Sequence, residues 1–310
     1  MKQKQLVNVF LFSIITLGCN AQDSSLLKML NDSMAVHEKP FYTSGTFKAM
    51  YIVNMQTIEA PAAGALNVEI QHRFGQINSG IYDFFGLDNA SWRLGLDYGI
   101  TNDLAIGVGR SSYEKTYDGY IKWKFIKQTE GDKMPITVSI LGTISNYTLE
   151  QTDKPYLDAA YRTSYATQLL IARKFSRNLS IELAPTYIHL NLVPTAQDQN
   201  DMFALCSGLR FKFNKRMSIN AEYDWLPTGQ MPSQPLQNSF SLGWDIETGG
   251  HVFQLVFSNS QGMIPTQYIT QTTGKWTEGD IYFGFNISRN FNLTKKAKGN
   301  AAKQSQISTK

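Results

Sequence analysis

Residues 91–100 read SWRLGLDYGI, and their side chains separate into two faces of opposite character. One set of alternate positions carries Trp92, Leu94, Leu96, Tyr98 and Ile100, and the other carries Ser91, Arg93, Gly95, Asp97 and Gly99. Successive side chains of a β-strand point to opposite sides, so the stretch predicts a strand with one apolar and one polar face. Aromatic side chains at both ends of the apolar face favour the two interfaces of a membrane. We therefore expect lipid on one side of this strand and polar groups on the other.

The same alternation recurs in short segments from Thr46 to Phe291. We predict strands, this one included, at 46–56, 65–75, 91–100, 103–112, 118–128, 135–148, 161–176, 179–192, 202–214, 217–226, 237–248, 251–260 and 279–291. Tight turns such as Thr101-Asn102 and Arg177-Asn178 alternate with longer connections such as 149–160 and 261–278. This alternation of turn and loop is typical of a transmembrane, antiparallel, up-and-down β-barrel, an all-β fold.

The strand count predicts how the chain is organised. Single-chain bacterial barrels have even strand numbers because both termini stay in the periplasm. The last strand ends at Phe291 after a long loop, so counting back gives twelve strands over residues 65–291. Segment 46–56 is left over, and we expect it at the periplasmic mouth, inside the lumen or as an extra edge pairing. Residues 22–64 would form an N-terminal lead that includes this segment, and residues 292–310 a disordered basic tail.

The N-terminus predicts export. Lys2 and Lys4 precede an apolar run that ends at Gly18, and Cys19-Asn20-Ala21 follows, which is typical of a secretory signal peptide over residues 1–21. Lipidation of Cys19 is the alternative, although Thr16 stands where a lipoprotein signal usually has leucine. After Gly18 the sequence has no run of 18 apolar residues, which excludes helical membrane spans.

The net charge of +4 does not indicate nucleic-acid binding. Seven of the 29 basic residues are lysines of the signal peptide and the tail, so the remaining 22 stand against 25 acidic residues. The body of the chain is therefore mildly acidic, which gives no support for a nucleic-acid partner. Cys206 is the one cysteine after the signal peptide, so an intramolecular disulfide is excluded.

Assigning each apolar face to lipid leaves a second face for the lumen, and this face carries charges of both signs. The candidate lumen-lining residues are Glu69, Arg73, Arg93, Asp97, Asp118, Lys122, Lys124, Glu182, Arg210, Lys212, Glu222, Asp224, Asp245 and Glu247. Arg162 and Lys174 are assigned to the same face. Arg93 and Asp97 are expected beside Glu69 and Arg73, with Glu69 compensating Arg93, and the small residues Ala105, Gly107 and Gly109 opposite them leave room for long side chains.

Three stretches carry a family resemblance: ALNVEIQHRFGQIN, YDFFGLDNASWRLGLDYGITNDLAIGVGRSS and KTYDGYIKWKFIKQ. Together they resemble a Bacteroidota family of exported β-barrels of unknown function, the domain of unknown function 5777. The resemblance extends to Phe291 and implies a β-barrel fold in the bacterial outer membrane. It implies no substrate and no catalytic residue.

The sequence favours a narrow channel or transporter for small solutes, with a plugged structural barrel as the alternative. A network of charges could fill the barrel or line a path, and twelve strands do not decide between them. A lipid-modifying enzyme ranks third, because neither His72 nor His189 is followed two positions later by serine. No metal-ligand spacing or cofactor motif is present, so we predict no catalytic residue, no metal and no cofactor. The expected partners are outer-membrane lipid, a small solute, and the barrel-assembly machinery, which would bind the C-terminal strand.

Overall fold

The computed structural model describes Met29, residues 41–131 and residues 133–294. The predicted signal peptide, residues 22–28 and 30–40 of the N-terminal lead, and the tail from residue 295 lie outside the described residues. The strands are β1 (Ala65–Gln76), β2 (Ala90–Gly99), β3 (Leu104–Ser111), β4 (Tyr117–Ile126), β5 (Thr137–Asn146), β6 (Thr163–Lys174), β7 (Leu179–Leu190), β8 (Asp201–Lys212), β9 (Met217–Trp225), β10 (Ser239–Glu247), β11 (His251–Ser258) and β12 (Tyr282–Asn292).

These twelve antiparallel strands form a closed barrel in chain order. β1 pairs with β12, with Leu66 opposite Phe291, so the sheet has no free edge. The predicted fold class and strand number are confirmed. We call the end with connections 100–103, 127–136, 175–178, 213–216 and 248–250 the turn end, and the opposite end the loop end. β1 begins and β12 finishes at the turn end.

The two faces of the wall differ in the way that the sequence predicts. On β2, the apolar side chains of Trp92, Leu94 and Leu96 are 40–45% exposed, whereas Arg93 is 1% and Asp97 0% exposed. This inverts the arrangement of a water-soluble protein, in which charges face the solvent. It suits a wall whose outer surface contacts hydrocarbon, and a closed barrel satisfies its backbone hydrogen bonds there.

Between the strands of the barrel, the described helical structure is limited to short pieces of the connections. The 259–281 connection contains one short helix, α1 (Pro265–Tyr268), and brief 3-10 turns occur near residues 77, 84, 113 and 276. Among the described residues, no helix has the length and apolar character needed to cross a membrane.

Segment 46–56 is not a strand, so this part of the secondary-structure prediction is wrong. Its residues form successive bends, with one isolated bridge between Tyr51 and Gln56. The sheet closes between β1 and β12 and offers no edge for a further strand. Of the three locations that the sequence left open, the segment occupies the lumen, where Ile52 and Val53 are 1% or less exposed.

Candidate functional site in the barrel lumen

The structure places all fourteen candidate lumen residues on the inner face of the wall. Eleven of them are buried: Glu69, Arg73, Arg93, Asp97, Asp118, Lys122, Glu182, Arg210, Glu222, Asp224 and Asp245. Lys124, Lys212 and Glu247 are half-buried near the turn end. Of the two further residues assigned to this face, Lys174 is half-buried near the turn end and Arg162 is half-buried at the loop end. Many of the buried charges bind a piece of the chain that occupies the lumen.

That piece is residues 44–63, which we call the N-terminal insert. It enters at the turn end, where the Lys174 ammonium donates to the Ser44 carbonyl at 2.8 Å. It turns back inside the barrel, where the Ile52 N–H donates to the Met55 carbonyl at 2.8 Å. It leaves at the turn end again, where the Ala63 N–H donates to Asn102 Oδ1 at 3.1 Å. The insert is therefore a hairpin whose two ends emerge on the same side.

Glu222 of β9 holds the tip of the N-terminal insert. One carboxylate oxygen, Oε2, accepts the backbone N–H groups of Val53, Asn54 and Met55 at 3.0, 2.9 and 2.9 Å. The turn leaves these three donors unpaired within the insert, and they converge on a single anion in the manner of a backbone nest. A charged acceptor strengthens each of these bonds. A lumen acid thus anchors the insert.

Side chains from the other strands complete the anchoring of the tip. Arg73 Nη2 donates to Asn54 Oδ1 at 2.8 Å, and Asn54 Nδ2 donates to Ser241 Oγ at 3.1 Å. Amide groups of the wall bind the insert's carbonyls, since Gln254 donates to Ile52 O at 2.6 Å and Asn286 to Val53 O at 2.9 Å. The backbone of the tip is therefore paired with side chains, with no strand ladder.

The returning limb of the insert meets charges of both signs. Lys122 Nζ donates to the Thr57 carbonyl at 2.9 Å, and the next residue, Ile58, donates its N–H to Glu182 Oε2 at 3.0 Å. Nearer the turn end, Lys48 forms an ion pair with Glu247 at 3.4 Å. The wall thus binds backbone groups of the returning limb and a side chain of the entering limb.

Arg93 and Asp118 form a buried ion pair across β3. Arg93 Nε donates to Asp118 Oδ1 at 2.9 Å, and Arg93 Nη2 binds Asp118 Oδ2. The expectation that Glu69 compensates Arg93 is wrong. Gly109 lies between the partners, and a Cβ there would be 2.4 Å from Arg93 Nη2. The missing side chain lets the guanidinium reach β4, while Glu69 accepts from Asn67 at 3.4 Å.

A second contact crosses the same strand. The Tyr120 hydroxyl donates to Asp97 Oδ1 at 2.9 Å, and Asn67 Nδ2 donates to Asp97 Oδ2 at 2.9 Å. Gly107 lies opposite both Asp97 and Tyr120, and a Cβ at Gly107 would be 2.2 Å from the Tyr120 ring. The prediction that the small residues of this strand make room for long neighbours is confirmed.

The inner face of β5 to β8 carries a buried apolar patch, which the sequence analysis did not predict. Wall residues Leu141, Leu170, Ala184, Ile188, Met202 and Cys206 join Phe47, Ile52, Met55 and Ile58 of the insert in one buried cluster. Contact is close, since a Cβ at Gly208 would be 2.0 Å from Ile52 Cδ1. The lumen therefore contains an apolar cluster beside the charged and polar side chains of the wall.

A second segment, which we call the loop insert (residues 259–275), fills the loop end of the lumen. Met263, Tyr268 and Ile269 are 0–1% exposed, and Tyr268 and Ile269 belong to the same apolar cluster. The wall holds it through polar side chains, such as the bond of 3.0 Å between Gln267 Nε2 and Thr116 Oγ1. The two inserts fill the barrel from opposite ends.

Sequence reasoning missed the residues that contribute most to this arrangement. Tyr51, Asn54, Gln254, Asn286 and Tyr268 are uncharged and bind or form the inserts. Gln254 and Asn286 occupy inward positions in the period-two pattern, so a search for amides as well as charges would have found them. The insert residues carry no such signal, because their contacts depend on the closed barrel.

The two histidines considered for lipid hydrolysis lie on the outer face. His72 stacks on Phe285 with ring centroids 4.8 Å apart, and His189 Nδ1 binds Asp201 Oδ1 at 2.7 Å. Within the described part of the chain, neither histidine is hydrogen-bonded to a serine hydroxyl. Among the same residues, no group of three or more acidic, histidine or cysteine side chains could hold a metal ion.

The family described as Membrane bound beta barrel domain (DUF5777) has a model that matches residues 47–291. The matched range contains all twelve strands to Phe291 and most of the N-terminal insert. No curated protein matches the sequence.

Solved structures of outer-membrane barrels share a distant similarity. The NanC porin is 9% identical and has a TM-score of 0.45, with 73% of this chain and 98% of that chain covered. An outer membrane channel from Pseudomonas putida F1 is 11% identical, covers 76% and 98%, and has a TM-score of 0.46. An active-site mutant of outer membrane phospholipase A from Escherichia coli is 11% identical, covers 76% and 93%, and has a TM-score of 0.40.

Proposed function

This chain belongs to the family of membrane-bound β-barrel domains, and from that premise we propose that it is a gated outer-membrane channel for small solutes. In the state described above the channel is closed. The N-terminal insert is the gate, and the periplasmic side is the side from which it moves. The Bacteroidota origin that the resemblance implies is part of the same proposal.

The observation that carries the proposal is how the insert is held. Both of its ends lie at the turn end, and its tip is bound by wall side chains such as Glu222 and Arg73. Withdrawal therefore breaks side-chain contacts, each worth roughly 0.5–3 kcal/mol, and leaves every strand pairing of the wall intact. Water can replace the insert at the charged positions of the wall. A small solute could then pass through the lumen along these positions.

The buried apolar cluster in the lumen favours the second candidate, a structural barrel with a permanent core. Ile52 and Met55 pack against β5 to β8 as residues of a soluble core do. Withdrawal would expose this surface to water, at about 25 cal/mol per Å² of apolar area. The two candidates therefore differ in whether the insert ever leaves.

A reversible tether of the insert separates the candidates. We would replace the hydrogen-bonded pair Asn54 and Ser241 with cysteines, Asn54→Cys and Ser241→Cys, in a Cys206→Ser background, and record conductance in planar bilayers. The gated channel predicts openings under reducing conditions and silence after oxidation. The Cys206→Ser protein without the two introduced cysteines is the control, and its conductance should not change on oxidation.

Weakening the tip should act in the opposite direction. Glu222→Gln removes the anion that binds three N–H groups, so open probability should rise above that of the wild type. Heat-modifiable gel mobility would show that each variant is a folded barrel. Folded variants that stay silent when reduced, at both voltage polarities and with Glu222→Gln, would establish the structural barrel instead.

A further inference from the structure

A small cavity lies at the seam between the loop insert and the wall. Its volume is about 70 Å³, and its lining includes Glu114, Ser145, Tyr147, Arg162, Thr266 and Gln267. Thr266 and Gln267 belong to the loop insert. Glu114 comes from the connection between β3 and β4, Ser145 from the loop end of β5, and Tyr147 and Arg162 from the connection between β5 and β6. Whatever occupies the cavity contacts the fixed wall and the insert at once.

Glu114 reaches the cavity from a strained connection. Glu114 and Lys115 have φ values of +51° and +50°, in the left-handed region that residues other than glycine seldom adopt. The Glu114 carbonyl accepts the N–H groups of Thr148 and Leu149 at 3.2 and 3.1 Å, which holds the connection in place. The carboxylate turns under the loop insert and accepts from Gln271 at 3.2 Å. Burial raises the pKa of this carboxyl, and the amides of Gln271 and Gln267 oppose the shift.

Arg162 supplies the opposite charge. Its Nη1 donates to the Leu149 carbonyl at 3.2 Å, and its guanidinium lies 5.8 Å from the Tyr147 ring centre. Its buried Nε has no hydrogen-bond partner among the residues that the structure describes. Within the described residues, no ion pair joins Arg162 to Glu114, although both line the cavity. A cation and an anion thus face one space without neutralising each other directly.

Gln267 adds an acceptor to the same space. Its Nε2 donates to Thr116 Oγ1, but among the described residues its Oε1 has no hydrogen-bond partner. Gln267 is 2% exposed. A buried carbonyl without a partner is costly, so a ligand donor there would be favourable. The cavity therefore offers a carboxylate and an amide oxygen to a donor, and a guanidinium N–H to an acceptor.

We propose that this seam cavity binds a compact zwitterion, an α-amino acid of about the size of glycine. Its ammonium group would bind Glu114 and Gln267, and its carboxylate would bind Arg162. A neutral diol or triol would leave both half-buried charges without a counterion, so it fits less well. The volume corresponds to roughly two water molecules, which limits the ligand to a small one.

The bound amino acid would be the solute of the channel, and this role rests on the proposed channel function. The amino acid would replace the bond between Gln271 and Glu114, one of the links that tie the loop insert to the wall. Binding would thus loosen the insert at the loop end. Binding itself needs no conductance, so the two proposals can fail separately.

Binding to the purified full-length barrel in detergent tests the proposal. Calorimetry and NMR saturation transfer would compare glycine with glycerol, acetate and methylammonium. We expect saturable binding of glycine and weaker binding of the other three. Glu114→Gln and Arg162→Gln should each weaken glycine binding by about tenfold or more, since each removes a charged hydrogen bond.

The matched controls are Glu150→Gln and Arg177→Gln, which change the same charges at exposed positions outside the cavity. Glycine affinity should stay at the wild-type value in both. The proposal is wrong if wild-type protein shows no saturable glycine binding, or if glycerol binds as tightly as glycine. Unchanged glycine affinity in both cavity variants would also overturn it. The ligand series on the wild type decides the matter even if a variant fails to fold.

Discussion

At the scale of single residues, Glu222 and Asp224 lie two positions apart on β9 but differ in their surroundings. Glu222 accepts three backbone N–H groups, whereas neither carboxylate oxygen of Asp224 accepts a hydrogen bond of standard geometry. We expect Glu222→Gln to lower the free energy of unfolding by roughly 1–3 kcal/mol. Asp224→Asn should leave it unchanged or raise it, because among the described residues no hydrogen bond of standard geometry to this carboxyl is lost. Urea unfolding in lipid vesicles would measure both free energies of unfolding. An equal decrease in the two variants would contradict the conclusion that Glu222 anchors the insert and Asp224 does not.

The Arg93–Asp118 pair gives a second test at this scale. Removing one partner strands a buried ion, so Arg93→Ala alone should destabilise the barrel by roughly 3–5 kcal/mol. Adding Asp118→Ala should recover part of that loss, because no charge then remains unpaired. Adding Glu69→Ala instead should recover nothing. Double-mutant cycles measured by urea unfolding compare the stability recovered by the two second substitutions. A larger recovery with Glu69→Ala would show that Glu69 compensates Arg93, as expected from the sequence.

At the scale of elements, β3 is built from small residues because its neighbours reach across it. A methyl group at Gly107 would be 2.2 Å from the buried Tyr120 ring, so Gly107→Ala should cost roughly 1–3 kcal/mol by overpacking. Gly142→Ala on β5 is the matched control, since its nearest neighbour would be at 3.8 Å, an ordinary contact. Stability measurements on the two variants should differ by at least the lower figure. Equal stabilities would mean that β3 is not packed in this way.

The loop insert should respond to pH through Glu114. Burial raises the pKa of this carboxyl, so the closed state favours the protonated form. Stability from this group is fully present below the ordinary carboxyl pKa and is lost as pH rises through the raised value. Hydrogen exchange of residues 259–275 should therefore speed up as the pH rises above the ordinary carboxyl pKa, beyond its intrinsic pH dependence. Glu114→Gln should abolish this additional increase in hydrogen exchange. If the increase persists in the variant, another titratable group causes it.

At the scale of the whole molecule, a closed wall with an apolar outer surface predicts behaviour in membranes. The purified chain should migrate differently in gels before and after boiling, because the ladder of a closed barrel resists detergent. In intact cells, external protease should cut the loop end, for example within 149–160, and spare the turn-end connection 127–136. Cleavage in the opposite order would reverse the orientation, and a soluble periplasmic monomer would contradict the membrane location.

Lipid contact can be tested at one position of the wall. Leu94 is 41% exposed on the outer face, so Leu94→Arg should cost roughly 2–4 kcal/mol if the residue lies near the bilayer midplane. Unfolding from lipid vesicles would measure the loss. The exposed loop-end residue Tyr156 provides a control, because Tyr156→Arg places the same charge in water. A harmless Leu94→Arg would mean that the outer face is not in hydrocarbon.

The wall of this barrel can be predicted from local patterns in the sequence. Period-two alternation and the order of turns and loops are local properties, so twelve strands, their inner faces and the closing strand at Phe291 follow from the residues alone. Tertiary structure decided what fills the wall. Whether 46–56 is a strand, which acid compensates Arg93, and which strands carry the apolar patch all depend on contacts between residues far apart in the chain. Such contacts leave no periodic signal, because an irregular insert pairs its backbone with side chains that only closure of the barrel brings together.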